Sequence, residues 1–115
     1  MGLFQVPARL TGPTGESEET ELFVDTGSTL IVVPRLLAVR LDLVIQRRQP
    51  VILAGGTEAM WPIAELRVAV GDRETPTLCF IAPSGPALLG AVALESLFLT
   101  VDPVRKRLVP TEGFA

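Results

Sequence analysis

The stretch "LFVDTGSTLIVVP", Leu22 to Pro34, sets one acid, Asp25, between two apolar runs and follows it at once with Thr26, Gly27 and Ser28. The flanks read as buried strand, and "TLIVV" is too short and too β-branched for a helix. A carboxylate in that setting needs a reason, and two are available. Asp25 is a turn former, because Asp, Thr and Gly together supply the local hydrogen bonding and backbone freedom of a tight loop between strands. Or it is a reactive group whose position the two strands fix.

Composition narrows the chemistry. The 115 residues suit one compact domain spanning 1–115, and 48% hydrophobic with 20% charged residues describes a globular chain with ample apolar surface to offset chain entropy. A net charge of −3 offers no basic field to a phosphate backbone, so no nucleic-acid partner is expected, and Arg47-Arg48 and Arg105-Lys106-Arg107 read as solvated turns. There is no histidine, which removes imidazole-dependent triads and most zinc sites. The one cysteine, Cys79, lies in the apolar run "TLCFIAP" and reads as a small hydrophobe rather than a nucleophile. Hydrolytic chemistry would therefore rest on carboxylates, with no metal and no cofactor. The start of the chain lacks a signal-peptide pattern, and no apolar run approaches a membrane span. "MGLFQV" has the Gly2 that myristoylation uses but Val6 where a hydroxyl residue is required. A cytoplasmic protein without a membrane partner is the expectation.

Short strand-like runs separated by turn residues dominate the rest. "LFQVPARL" reads as a strand whose Pro7 confines it to an edge or a bulge, "TGPTGESEET" (Thr11 to Thr20) as a turn-forming stretch with a solvated acidic tip, and "ELFV" as the returning strand. "PRLLAVRLDL" opens with Pro34 and brings Leu36, Leu37, Leu41 and Leu43 towards one face of a short helix. "VILAGGTEAMWPIAELRVAV" reads as strand, Gly55-Gly56 turn and long strand, with Leu66, Val68 and Val70 on one face. "TPTLCFIAP" is a further strand, Ser84-Gly85-Pro86 a break, "ALLGAVALESLFL" a strand end followed by a second short helix, and "LTVDPVRKRLVP" a hairpin turning at Asp102-Pro103.

Two of these stretches carry a resemblance. Phe23-Val24-Asp25-Thr26-Gly27-Ser28-Thr29 is similar to the active-site loop of the retropepsin-like aspartic proteases, the single-domain relatives of pepsin. Leu88-Leu89-Gly90 before "AVALESL" resembles their second signature, two apolar residues and a glycine ahead of a short helix. The glycine-bearing hairpin lies between the two, where that family has its flap, and the closing "LTVDPVRKRLVP" looks like the last strands of bacterial members. The resemblance runs from about Val6 to Pro110 and implies an all-β barrel with one or two short helices, acting as a homodimer on peptide substrates.

Metal-free peptide hydrolysis uses a base to activate water and an acid to protonate the carbonyl oxygen, roles that two adjacent carboxylates sharing one proton can fill. This chain has one Asp-Thr-Gly and no internal repeat, so the second carboxylate has to come from another copy. The resemblance implies that Thr26 bonds across the dimer, that Gly27 lets the backbone approach the acid pair, that Ser28 donates to the Asp25 carboxylate, and that Leu89 and Gly90 are structural. It further implies a mobile tip at Gly55 and Gly56, and a place for Trp61 in the substrate groove. The retroviral members pair an acid two residues after the loop glycine with an arginine after the second glycine. Here those positions are Thr29 and Ala91, so those substrate-end contacts do not carry over. The retroviral dimer also interleaves its chain ends, which for "MGLFQV" and "LVPTEGFA" is open. The rival reading keeps the fold and makes it a non-catalytic dimerisation or peptide-binding domain that grips an extended segment by strand addition.

Overall fold

The computed structural model of the chain describes residues 4–115, so Gly2 and the rest of the first three residues lie outside it. Among the described residues the strands are β1 (Gln5–Thr11), β2 (Ser17–Val24), β3 (Ile31–Pro34), β4 (Arg47–Ile52), β5 (Glu58–Val70), β6 (Arg73–Ala82), β7 (Leu88–Leu89), β8 (Leu99–Asp102) and β9 (Arg107–Pro110). The helices are α1 (Arg35–Arg40) and α2 (Ala91–Leu97).

Six strands close on themselves. β1 pairs with β2, β2 with β7, β7 with β3, β3 with β6, β6 with β5, and β5 returns to β1 through Arg9↔Ala69, Leu10↔Val68 and Thr11↔Arg67. Every strand of the ring is paired on both sides over part of its length, while Gln5–Ala8 of β1 and Arg73–Leu78 of β6 keep a neighbour on one side alone. It is an all-β barrel with two short helices, and its interior is the core: Leu10, Leu22, Ile31, Val33, Val68, Cys79 and Leu89 are fully buried. No polar or charged side chain is buried among the described residues. Each buried leucine contributes about 2–3 kcal/mol relative to exposure, so the barrel rests on apolar packing.

The prolines show how the sequence selects this pairing. Pro7 pairs only with Glu21, Pro62 only with Arg48 and Pro76 only with Arg67, while Pro50 sits on the outer strand β4. Each occupies a segment with a ladder neighbour on one side alone, where a missing N–H costs nothing. Pro7 thus has the edge position expected of it. β5 is the longest strand because it serves two partners in succession. Its first half, Glu58–Pro62, pairs with β4 alone and projects beyond the ring as a two-stranded ribbon, and Ile63 onwards joins β6.

Arg47-Arg48, expected as a solvated turn, instead open strand β4 opposite Ile63 and Pro62, and two further sequence expectations need correction. The turn after β1 occupies only Gly12–Glu16, closed by the Gly12 amide on the Glu16 carbonyl at 2.8 Å, and the ladder resumes at Thr11↔Ser17. Ser17 to Thr20, expected as loop, are strand. Their acidity marks a strand with one solvated face, and Glu18 on it takes both Nε and Nη2 of Arg40. The second correction concerns α1. Leu37, Ala38 and Leu41 are buried, but Leu36 is 74% exposed. The helix stops at Arg40 and Asp42 turns left-handed with φ 57°. Fewer than two turns present only a narrow stripe to the barrel, and adjacent residues lie about 100° apart around the axis.

The last hairpin, β8–β9, forms a separate two-stranded sheet that turns at Asp102-Pro103 as expected. Leu108 to Pro110 of the closing segment pair within the chain, and the Thr111 amide reaches the Phe98 carbonyl at 2.9 Å.

Candidate active site

β2 ends at Val24, paired in parallel with Leu89 of β7, and Asp25 is the first residue beyond. Its amide donates to the Leu89 carbonyl at 3.0 Å, so the residue leaves the strand from a fixed point. Its Oδ1 then accepts the Gly27 amide at 3.0 Å, and its carbonyl accepts the Ser28 amide at 3.1 Å. The carboxylate is half-buried and has no other hydrogen-bond partner and no ion-pair partner among the described residues. One oxygen is engaged by the loop itself. The other is open.

The Thr26 hydroxyl, on an exposed residue, has no hydrogen bond within the described chain. Ser28 does not reach Asp25: its hydroxyl donates to the Leu30 carbonyl at 2.8 Å. A serine hydroxyl is close to the carbonyl two residues on in such a bend, and that local bond wins over the carboxylate.

The second motif holds this loop in place. The first amides of α2, Ala91 and Val92, donate to the Ser28 and Thr29 carbonyls at 2.8 and 3.0 Å. Gly90 is what permits the approach, since a methyl group there would collide with the Leu30 carbonyl and lie 2.6 Å from the Ser28 carbonyl oxygen. Leu89, buried beside it, anchors β7 between β2 and β3. Thr29 and Ala91, which lack an ion pair, belong to segments joined through the main chain instead. The far end of α2 is fixed by Arg73, whose Nη1 donates to the Leu97 and Phe98 carbonyls at 2.8 and 2.9 Å. Sequence reasoning missed Arg73, because a helix C-terminus capped from another strand leaves no local pattern.

Beside the acid loop opens a groove of about 550 Å³, roofed by the β4–β5 ribbon. Gly27, Ser28 and Thr29 form its floor next to Asp25, and Val32, Trp61 and Phe80 contribute apolar walls. The Trp61 and Phe80 rings meet edge to face, centroids 6.2 Å apart at 73°. Trp61 lines this groove. At the ribbon's end Leu53 N bonds to Thr57 O at 2.7 Å, and Gly55 and Gly56 adopt φ of 97° and 90°, values that a side chain disfavours. Both are exposed with open space around them. Cys79 is fully buried, and burial pushes its thiol up to about 12 against the opposing Ala64 backbone hydrogen bond. It is no nucleophile at neutral pH.

A family model described as aspartyl protease matches residues 6–93, which takes in both the acid loop and the Gly90 segment. The chain belongs to the aspartyl protease family. Solved structures agree on the fold. EIAV protease, in complex with the inhibitor HBY-793, superposes with a TM-score of 0.65 at 16% identity, covering 92% of this chain and 91% of that one. The simian foamy virus (mac) protease superposes with a TM-score of 0.60 at 18% identity, covering 82% and 94%. No curated protein matches the chain. The barrel of this aspartyl protease is therefore retropepsin-like, with Asp25 and Gly90 in the two segments that meet at its acid loop.

Proposed function

We propose that this aspartyl protease is an endopeptidase that hydrolyses a peptide bond with water activated between Asp25 and the Asp25 of a second copy. The observation that carries the reading is the Asp25 carboxylate: on a half-buried residue, positioned by Leu89 and Gly27, with one oxygen unengaged and no ion-pair partner among the described residues. One such group is half of the acid–base pair that metal-free hydrolysis uses. The partner copy supplies the other half, which makes the dimer a condition of activity rather than an elaboration of it. Thr26, exposed and without a hydrogen-bond partner for its hydroxyl among the described residues, supports the reading in which it bonds across that two-fold axis.

In the working dimer the substrate lies extended between the acid pair and the β4–β5 ribbon, whose Gly55-Gly56 tip acts as the flap, while Trp61 packs against substrate side chains. In this mechanism the two Asp25 carboxylates share one proton, so that one member acts as base and the other as acid. The deprotonated member draws a proton from water as the water oxygen bonds to the carbonyl carbon, and the protonated member gives its proton to the carbonyl oxygen as the C=O π bond opens. Collapse of the resulting diol returns a proton to the leaving amine and splits the C–N bond.

Dilution tests the dimer requirement. Specific activity on a peptide library at mildly acidic pH should fall as the protein is diluted through its dissociation constant, and sedimentation should show monomer appearing over the same range. A monomer that cleaves at constant specific activity would sink the shared-site mechanism. A folded dimer that binds peptides and cleaves none would favour the peptide-binding rival.

A further inference from the structure

Resting on the endopeptidase reading, we infer that the groove selects an acidic side chain two positions from a large apolar one, with Arg47 as the residue that reads the acid. Arg47 is the charged side chain lining a groove whose remaining walls are largely apolar, and no carboxylate lines it. The guanidinium has no ion pair among the described residues. Its Nη1 donates to Gln49 Oε1 at 3.0 Å, which orients the group without neutralising it.

Register supplies the spacing. In the β4–β5 ribbon Arg47 stands opposite Ile63 and Gln49 opposite Trp61, so Arg47 and Trp61 share a face as diagonal neighbours. Diagonal residues on one face of an antiparallel pair lie about 7–8 Å apart. Side chains two positions apart in an extended peptide are separated by about 6.6–6.8 Å. A strand-like peptide beneath the ribbon that packs an apolar residue on Trp61 thus brings the side chain two residues away level with Arg47. A glutamate or aspartate there gains a charge-assisted bond to a planar donor fork, and an amide in its place gains only a neutral one. Arg47 is itself exposed, so solvent screens the contact and the preference is moderate and salt-sensitive.

Trp61 is the chain's one tryptophan, so its emission reports groove occupancy whether or not the bond is cut. The test uses tryptophan-free peptides that differ by Glu or Gln two positions before or after a central phenylalanine, titrated against the Asp25→Asn protein. The Glu peptide in one of the two registers should bind about fivefold tighter than its Gln twin at low salt, a gap that narrows as salt is raised. Arg47→Gln should bring the ratio close to one, and Arg47→Lys should keep part of it, which separates lost charge from a damaged fold. A ratio of one in the parent, or an unchanged ratio in Arg47→Gln, overturns the assignment. Cleavage of the same peptides by the protein with Asp25 intact separates the two readings. Cutting without acidic preference removes the role of Arg47 and keeps the endopeptidase, whereas preferential binding without cutting keeps Arg47 and removes the endopeptidase.

Discussion

Asp25 and Asp102 each sit at a strand's end and bend the backbone by accepting the amide two residues on, from Gly27 at 3.0 Å and from Val104 at 3.1 Å. Beyond that shared turn their surroundings diverge. Asp102 also accepts the Arg105 amide at 3.2 Å and the Arg105 guanidinium at 3.3 Å, and Arg107 Nε lies 3.9 Å away. The Arg105 amide chiefly holds its carboxyl below the usual carboxylate range; burial opposes it, and the Arg105 guanidinium, the Val104 amide and the charge of Arg107 add to the lowering. Asp25 has the Gly27 amide and nothing further among the described residues. A turn former looks like Asp102, with its acceptor capacity taken up by its own hairpin. Asp25 makes the same turn and keeps an oxygen free beside a groove, so the turn accounts for its backbone and leaves its side chain unexplained.

The largest effect expected from breaking that contrast is on catalysis. Asp25→Asn keeps the turn, because an amide oxygen accepts the Gly27 N–H equally well, but removes the base. Peptide hydrolysis should fall by about 10²–10⁴-fold or more. The melting temperature should hold and the dimer should persist, since asparagine keeps the shape of the side chain and its turn. Asp102→Asn, the same chemical change in the other turn, should leave the rate near that of the parent. Equal rates in the parent and Asp25→Asn would reduce Asp25 to a second Asp102.

Next in size is the support beneath the loop. Gly90→Ala places a methyl group against the Leu30 and Ser28 carbonyls, and those atoms are main chain, so either the acid loop or the start of α2 has to move. A loss of about 1–3 kcal/mol in urea unfolding is expected, in the range of an overpacked site. The turnover number should drop with it, because the displaced loop carries Asp25. A folded variant with full turnover would show that the Asp25 carboxylate does not depend on the α2 contact.

Much of this was legible in the sequence where chemistry is local. Asp-Thr-Gly, the Gly55-Gly56 turn and Pro7 each act through their own backbone, and they lie where a reading of neighbours puts them. The long strand β5 followed from its alternating Leu66 and Val68, both buried. The reading fell short where a partner comes from far along the chain. The Arg73 cap on α2 and the exposure of Leu36 depend on how elements dock, and no short window of sequence contains both sides of those contacts. The Ser28 bond to Leu30 is local, but the sequence alone does not choose between it and the carboxylate. Ser17 to Thr20 misled for another reason, since an acidic strand with one wet face has a loop's composition.

The smallest effect belongs to the satisfied aspartate, and its sign follows from linkage. Because the folded Asp102 carboxyl lies below its ordinary value, its contribution is present above the unfolded value of about 3.9 and is lost as pH falls through the lower, folded one. Asp102→Asn should therefore be slightly less stable than the parent at neutral pH, by less than the Gly90 change. The two should converge in acid below about pH 4. Salt should narrow the neutral-pH gap, since Arg105 and Arg107 are largely exposed and part of the interaction is screened Coulomb attraction. Paired unfolding curves from pH 3 to pH 7 at low and high salt measure it. A gap that persists undiminished in acid would mean that Asp102 acts through geometry that asparagine cannot reproduce and not through charge, and the contrast with Asp25 would then rest on hydrogen bonds alone.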